Sequence, residues 1–445
     1  MIMALPVTLY FCRGFGGLVP GRPNKEYIML LTNIMRMYLT RSFKPFCFKG
    51  KYRNQLPFEN LQDLGLYVHI PFCRSLCSFC PYCKVVYNSE TAARYKTALL
   101  KEIDLVGQYI KNRKRASSLY FGGGTPALMI DDLADIINKL KRYFDITDGI
   151  GVELHPDDIN EGNLEKLKLA GVTMVSVGIQ SFHSDCLRKL GRCGRSFIDR
   201  LKLARKADFD VVDVDLIFGI PGQTDEILIE DINTAFQCGA TQISTYPFID
   251  FTFANNNYKP LSQKSKKRML QALTAHCRSI GQDRTSVWTF ANPGTKKYSS
   301  ITRDNFLGFG VSATTLLQSS FKINTFSIEG YIKRVESKQL PTSLTLEFTE
   351  RQRAVYFLFW SAYSMSISPD KFEAIVGVPL KKMFGFELWA LEQMGLIHNE
   401  KGQYRLSEKA AYYYHYIEQA YTTAYIDKMW NISRRIAFPD EIVLS

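Results

Sequence analysis

Residues 69–84 read His-Ile-Pro-Phe-Cys-Arg-Ser-Leu-Cys-Ser-Phe-Cys-Pro-Tyr-Cys-Lys. Four cysteines, Cys73, Cys77, Cys80 and Cys83, follow the spacing C-x3-C-x2-C-x2-C. A structural zinc site usually takes two ligand pairs on separate knuckles, so that four vectors converge tetrahedrally. No second pair follows here; the next cysteine is Cys186. Cys73, Cys77 and Cys80 are close enough to wrap one cubane corner each, and three thiolates leave one iron open to a small ligand. Cys83 as a fourth ligand would close that iron. The residues alone leave both arrangements open.

The stretch just before this loop, Leu66-Tyr-Val-His-Ile70, is a short apolar strand, and it starts a rhythm. Helical spacing follows over 91–112, with Ala92, Tyr95, Leu99, Ile103 and Val106 on one side. A buried strand ending in glycines (118–123) precedes a helix (131–144). A strand at 151–156 leads to a helix at 163–171 closed by Gly171. Strands at 173–182, 210–218 and 241–249 alternate with helices at 196–207 and 227–239. Such alternation means βαβ units and a parallel sheet. The fold class expected is α/β: a partial (β/α)6 barrel, with polar motifs at the strand C-terminal ends where such folds place active sites. After residue 255 the rhythm breaks. A helix is expected at 262–279, and the chain is mostly helical from 348. Residues 386–410 read helix, strand, turn, strand, a winged-helix-like unit whose helix, with Phe386, Leu388, Trp389 and Leu391, is expected to be buried. The division expected is a basic N-terminal arm (1–60), the barrel with a substrate-side extension (61–315) and a helical C-terminal domain (316–445).

The chain has 445 residues and a net charge of +13. Its ten cysteines are too dilute for a disulfide scaffold, and a reducing, cytoplasmic setting is expected. The charge is uneven: residues 1–60 carry nine Lys/Arg and two Glu, and residues 259–303 ten Lys/Arg and one Asp. A basic excess suits nucleic acid, an anionic surface or an anionic small molecule. No RNA-binding signature singles out nucleic acid, and DNA binding by the winged unit is not expected. No run reaches the roughly 18 apolar residues of a membrane helix, so no integral membrane segment is expected. Residues 25–41 have the pattern of a short amphipathic helix docked on the core.

The segment from Tyr67 through His69-Ile-Pro-Phe-Cys73 to Phe79-Cys80 resembles the radical S-adenosylmethionine enzymes, and within them the oxygen-independent coproporphyrinogen III oxidase-like family. The resemblance covers residues 62–250 strongly and the C-terminal part more weakly. It implies a [4Fe–4S] cluster on Cys73, Cys77 and Cys80, with S-adenosylmethionine chelated at the open iron. Reductive cleavage then gives a 5′-deoxyadenosyl radical. Cys83 becomes a spare thiol beside the substrate. Gly123, Gly124 and Thr125 of Phe121-Gly-Gly-Gly-Thr-Pro126 would meet the methionine moiety; only residues without a Cβ let an ammonium reach backbone carbonyls at close range. Glu153, Gln180, Arg192 and Asp215 match cofactor-binding positions, Arg192 as a carboxylate clamp. Tyr67 and Phe79 are carried over as cofactor neighbours and His69 as a cluster neighbour. No residue is assigned as catalytic.

The sequence also departs from that pattern. Met174 stands where the family has an arginine. The cysteine after the third ligand comes one residue late, as Pro81-Tyr82-Cys83. The HNxxYW segment of the related heme chaperones is absent, and 297–310 occupies its place, making Tyr298, Arg303 and Asp304 substrate-side candidates. Lys296, Lys297 and Arg303 are expected to steer anionic propionates. The resemblance implies a radical enzyme acting on an anionic tetrapyrrole, fed by a flavodoxin- or ferredoxin-like electron donor and working as a monomer. A radical methyltransferase using a second S-adenosylmethionine, and a heme-binding chaperone, are the alternatives.

Overall fold

The computed structural model describes residues 25–51, 56–58, 61, 64–192, 197–254, 256–296 and 304–444. Six parallel strands lie side by side in chain order: Gly65–Ile70, Ser118–Gly123, Ile150–Leu154, Met174–Gln180, Val211–Phe218 and Gln242–Pro247. They are the first to sixth strands below. Helices cover their outer face. Ile130–Lys141 shows why these segments form: Leu133, Ile136, Ile137 and Leu140 recur at helical spacing and are all buried. Asp131 and Asp132 sit in its first turn and Lys139 and Lys141 in its last, matching the helix dipole. Each of those apolar side chains stabilises the fold by roughly 1.5–3 kcal/mol through burial.

The sheet does not stop at six strands. Thr289–Ala291 adds antiparallel to the sixth strand and Asp283–Arg284 adds to that. The chain then crosses to the opposite edge, where Phe306–Phe309 pairs parallel with the first strand. Thr314–Leu317, Ser320–Asn324, Thr342–Glu347, Phe46–Lys49 and Glu441–Leu444 continue outward, giving one 14-stranded sheet among the described residues. A boundary at 315/316 therefore falls inside a strand, and 316–445 contributes strands as well as helices. Residues of the segment 1–60 join the same sheet.

The C-terminal region is otherwise helical. A three-stranded sheet of Ser366–Ile367, Gln403–Leu406 and Ile397–Glu400 packs with helices Pro369–Val376 and Leu380–Gln393 as a winged-helix-like unit. Its helix is less buried than its composition suggests. Leu388 is 5% exposed, but Phe386 and Trp389 are 44% and 55% exposed. Their rings meet at 5.9 Å, tilted by 34°, on the outer face. The helix Lys25–Thr40 packs on the core as expected, against Glu350–Tyr363 and Glu408–Tyr421. No described helix is long and apolar enough to cross a membrane.

Candidate functional site

The first strand delivers the cysteine loop to the C-terminal rim of the sheet. The loop is closed at its base: Phe72–Cys73 pairs parallel with Val85–Val86, and Val85 N donates to Pro71 O at 2.8 Å. Inside it Lys84 Nζ donates to Cys80 O at 2.6 Å. The helix Asp427–Arg435 holds it from outside, Arg434 donating to the carbonyls of Pro81 and Tyr82 at 2.5 and 2.8 Å. His69 holds it from below, its Nε2 lying 2.8 Å from Cys83 O and its Nδ1 3.0 Å from the Tyr67 hydroxyl. Burial pushes the His69 pKa down to about 4, so the ring is neutral at pH 7. The carbonyl at Nε2 can only accept, so Nε2 carries the proton and Nδ1 accepts from Tyr67.

Cys73, Cys77 and Cys80 are half-buried and line one wall of a cavity of about 1930 Å³. Cys83 does not. It is 6% exposed, sits in the main apolar core, and donates to Phe326 O at 3.4 Å. A spare thiol beside the substrate is therefore not what the fold makes of Cys83: the loop turns it inward while His69 grips its carbonyl. Burial pushes the Cys73 and Cys83 thiols up to about 11. Among the described residues no three His, Cys, Asp or Glu side chains gather closely enough to hold a single metal ion.

The glycine turn ends the second strand against this loop. Gly124 N donates to Ile70 O and Thr125 N to Phe72 O, each at 2.7 Å. A Cβ on Gly124 would come within 2.6 Å of Phe72 O, and one on Gly123 (φ +111°) within 2.4 Å of the His69 ring. Thr125 Oγ1 lies 3.9 Å from Cys73 Sγ. Glu153 reaches across from the third strand, accepting from Gly123 N and from Tyr120 OH, both at 3.0 Å. Burial raises its pKa to about 6.

The fourth strand ends in an unusual backbone. Gln180 has φ +74°, sparsely populated for a residue with a side chain. The register beside Asp215/Leu216 slips there, so that Asp215 faces Gly178 while Leu216 faces Gln180. The bulge aims Gln180 and Asp215 into the cavity. Arg192 follows, with Nη1 donating to Gly178 O, Nε to Cys77 Sγ at 3.4 Å, and its guanidinium over Phe79 at 5.6 Å. Asp215 accepts from Ser176 Oγ at 3.0 Å, and burial, then the nearby Asp213, push its pKa well up.

Gly123, Gly124, Thr125, Phe79, Glu153, Gln180, Arg192 and Asp215 thus share one cavity with the three cysteines. Tyr67 does not line it; its ring stacks on Tyr120 in a small inner cluster with Met174 and Val211. Met174 occupies the floor there with apolar bulk. Two residues were missed from the sequence. Asp213 and Ser244 line the cavity beneath Asp215, joined by a 2.9 Å hydrogen bond. The signal was the Asp213-Val-Asp215 alternation, which puts both carboxylates on one strand face.

The substrate-side expectations fare differently. Asp304 lies off the cavity, just before the strand Phe306–Phe309, its carbonyl accepting from Arg353. Lys296 donates to Asp148 O beside the start of the third strand, the opposite end of the barrel from the cysteines. It cannot steer a ligand into this cavity. Tyr298, Lys297 and Arg303 lie outside the described residues. Beyond Arg74, Lys84 and Arg192 near the cysteine loop, the basic side chains that line the cavity are Lys264, Lys267 and Arg268, on one face of the helix Gln263–Ser279, with Lys409 and Arg36. Away from the cysteines the walls are aromatic, with Tyr356, Trp360 and Tyr421 among them, while Trp430 stands against Tyr82 of the loop itself.

Three thiols on one wall, a glycine cradle with no room for a Cβ, and polar side chains at consecutive strand ends define a radical S-adenosylmethionine (radical SAM) domain. Residues 67–235 match the family model described as the Radical SAM superfamily. Within that class the chain is related to two kinds of protein. It is 29% identical over 368 residues to heme chaperone HemW of Bacillus subtilis, covering 78% of this chain and 94% of that one. It is 24% identical over 317 residues to the oxygen-independent coproporphyrinogen III oxidase of Bradyrhizobium diazoefficiens, covering 65% and 70%. The fold is that of coproporphyrinogen III oxidase (HemN) from Escherichia coli, with a TM-score of 0.72 over 87% of this chain and 98% of that one, at 21% identity.

Proposed function

We propose that the protein is a radical SAM enzyme that cleaves S-adenosylmethionine reductively and acts on an anionic tetrapyrrole. The observation that carries this is the continuity of one cavity from Cys73, Cys77 and Cys80, past Glu153, Gln180, Arg192 and Asp215, into an aromatic chamber with basic edges. When bound, the cluster and S-adenosylmethionine supply a carbon-centred radical able to abstract hydrogen. The donor set fits: soft thiolates suit iron–sulfur ligation, and three of them leave an iron free.

The chain's own part is binding and orientation. Cys73, Cys77 and Cys80 would hold the cluster. Glu153 is mainly ionised at neutral pH and would draw an ammonium toward the bare backbone of Gly123 and Gly124. Arg192 would clamp a carboxylate, and Gln180 and Asp215 offer acceptors for hydroxyl or amino groups. Relatives named for coproporphyrinogen and heme support a tetrapyrrole, as do aromatic walls suited to a flat macrocycle. The lysines and arginine of Gln263–Ser279 suit its carboxylates. Such chemistry would draw its electron from a flavodoxin- or ferredoxin-like donor and suits a reducing cytoplasm.

The test is anaerobic reconstitution, then incubation with reductant, S-adenosylmethionine and coproporphyrinogen III, with products read by mass spectrometry. The reading expects 5′-deoxyadenosine together with a modified tetrapyrrole. The extent of the match to heme chaperone HemW favours a second reading, heme delivery. That reading expects stable stoichiometric heme binding with little 5′-deoxyadenosine. S-adenosylhomocysteine as a second product would mean methyl transfer instead.

A further inference from the structure

Arg36 stands out among the buried cations. It lies on the helix Lys25–Thr40, on the same face as Thr32 and Thr40, and is only 9% exposed. Its Nη1 donates to Lys44 O at 2.5 Å, and its guanidinium lies 5.8 Å over the Phe46 ring. Its Nε has no acceptor. The nearby Tyr425 hydroxyl donates to Asn33 Oδ1 at 2.7 Å and its oxygen accepts from Arg36, a neutral partner that does not offset the charge. No carboxylate of a described residue pairs with Arg36. The chamber's buried acid, Glu418, accepts instead from Thr422 at 2.8 Å.

A buried charge without a counter-ion is expensive, and folds normally pair it or cover it with carbonyls. Arg353 shows the second solution: it is equally buried, lies off the cavity, and donates to the carbonyls of Gln318 and Asp304. Arg36 differs in lining the cavity with donors to spare. Its place in the fold is also telling. Phe46 belongs to a strand five positions along the sheet from the first strand, on the order of 20 Å at normal strand spacing. Arg36 thus belongs to the aromatic end of the cavity, well away from the cysteine loop.

We propose that Arg36 binds a carboxylate of the ligand that fills the aromatic chamber, supplying the counter-ion the fold omits. The inference rests on the proposed tetrapyrrole reading for the identity of that ligand. Its own content is narrower: an anionic oxygen on an apolar, flat body, fixed at the chamber end by a guanidinium. A planar fork suits a carboxylate in a way that a lysine point charge does not. Arg36 is a specificity residue here and takes no part in the chemistry at the cysteine end.

The experiment titrates full-length protein, wild type and Arg36→Met and Arg36→Lys variants, with coproporphyrin III and with its tetramethyl ester, following tryptophan quenching. Met keeps the aliphatic bulk and Lys keeps the charge. Wild type should prefer the free acid. Arg36→Met should bind the acid roughly ten- to a hundredfold more weakly, the loss of charged hydrogen bonds. It should leave the ester and S-adenosylmethionine affinities unchanged, and Arg36→Lys should recover part of the loss. If wild type prefers the acid and Arg36→Met keeps that preference, the inference is wrong while the tetrapyrrole reading stands. Equal loss of acid and ester would likewise overturn it, showing a packing role. If wild type binds neither porphyrin, the tetrapyrrole reading fails and takes this inference with it.

Discussion

Arg192 donates from Nε to Cys77 Sγ across 3.4 Å and from Nη1 to the carbonyl of Gly178. One side chain thereby joins the cysteine loop to the end of the fourth strand. Replacing it with Lys keeps the charge but cannot span both partners. Arg192→Lys should retain its iron after reconstitution and bind S-adenosylmethionine roughly ten- to a hundredfold more weakly. Iron analysis and equilibrium dialysis under anaerobic conditions check this; unchanged cofactor affinity would count against the clamp.

The four loop cysteines should separate cleanly. Cys73, Cys77 and Cys80 face the cavity while Cys83 faces the core. Serine at any of the first three should abolish the iron–sulfur chromophore. Cys83→Ser should keep it and keep S-adenosylmethionine cleavage, at a stability cost of about 1 kcal/mol for a polar atom in an apolar site. A Cys83→Ser protein that folds but cannot hold iron would make Cys83 a ligand.

Gly124→Ala tests the cradle. The new methyl would press on the backbone oxygens of Phe72 and Ile70, at 2.6 and 2.9 Å, and neither can swing away as a side chain could. Forced shifts of this kind cost roughly 1–3 kcal/mol. The variant should melt earlier and lose cofactor affinity together. Gly385→Ala, where nothing lies within 4 Å, is the control and should do neither.

Glu102 gives the fold a pH dependence away from the site. It accepts from Tyr331 OH at 2.6 Å, Gly310 N at 2.7 Å and Asn324 Nδ2 at 3.0 Å. Burial still pushes its pKa up from 4.5 to about 7. Between those values the folded protein keeps a proton that the unfolded chain releases. This group's contribution to stability therefore falls as pH rises through that window, by about 3 kcal/mol in all, and levels off above it. Urea unfolding of wild type and Glu102→Gln at about pH 5 and about pH 8 measures the difference. The wild type should lose stability relative to the variant on going to the higher pH, and a parallel response would refute the shift.

The barrel was legible because each parallel strand is a buried apolar run closed by a turn, and each helix has a clear apolar stripe. The strand-end polar set was legible because a family pattern fixes those positions one by one. The outer antiparallel strands were not. Thr314–Leu317 and Ser320–Asn324 meet through Gln318, whose φ of +54° would ordinarily signal glycine or asparagine, so no turn residue announces the hairpin. Trp389 was misread because composition alone cannot say which side of a helix faces solvent. Tyr298, Arg303 and Asp304 were placed by the position of their segment, and Lys296, Lys297 and Arg303 by charge; the charges that meet the cavity away from the cysteines lie a helix earlier, on Lys409 and on Arg36, which only the return of the N-terminal segment brings there. Asp213 was passed over because its role depends on what lies across the barrel.

The strand Phe46–Lys49 sits between Thr342–Glu347 and Glu441–Leu444, with Phe46 opposite Leu444. Early and late parts of the chain are stitched into neighbouring rows. During synthesis the six parallel strands can assemble as they emerge, but the seam cannot close until Glu441–Leu444 has left the ribosome. The helix Asp427–Arg435, whose Arg434 holds the cysteine loop from outside, emerges just before that strand. The order of translation therefore leaves both the outer grip on the cysteine loop and the joining of the sheet's outermost rows to residues 427–444.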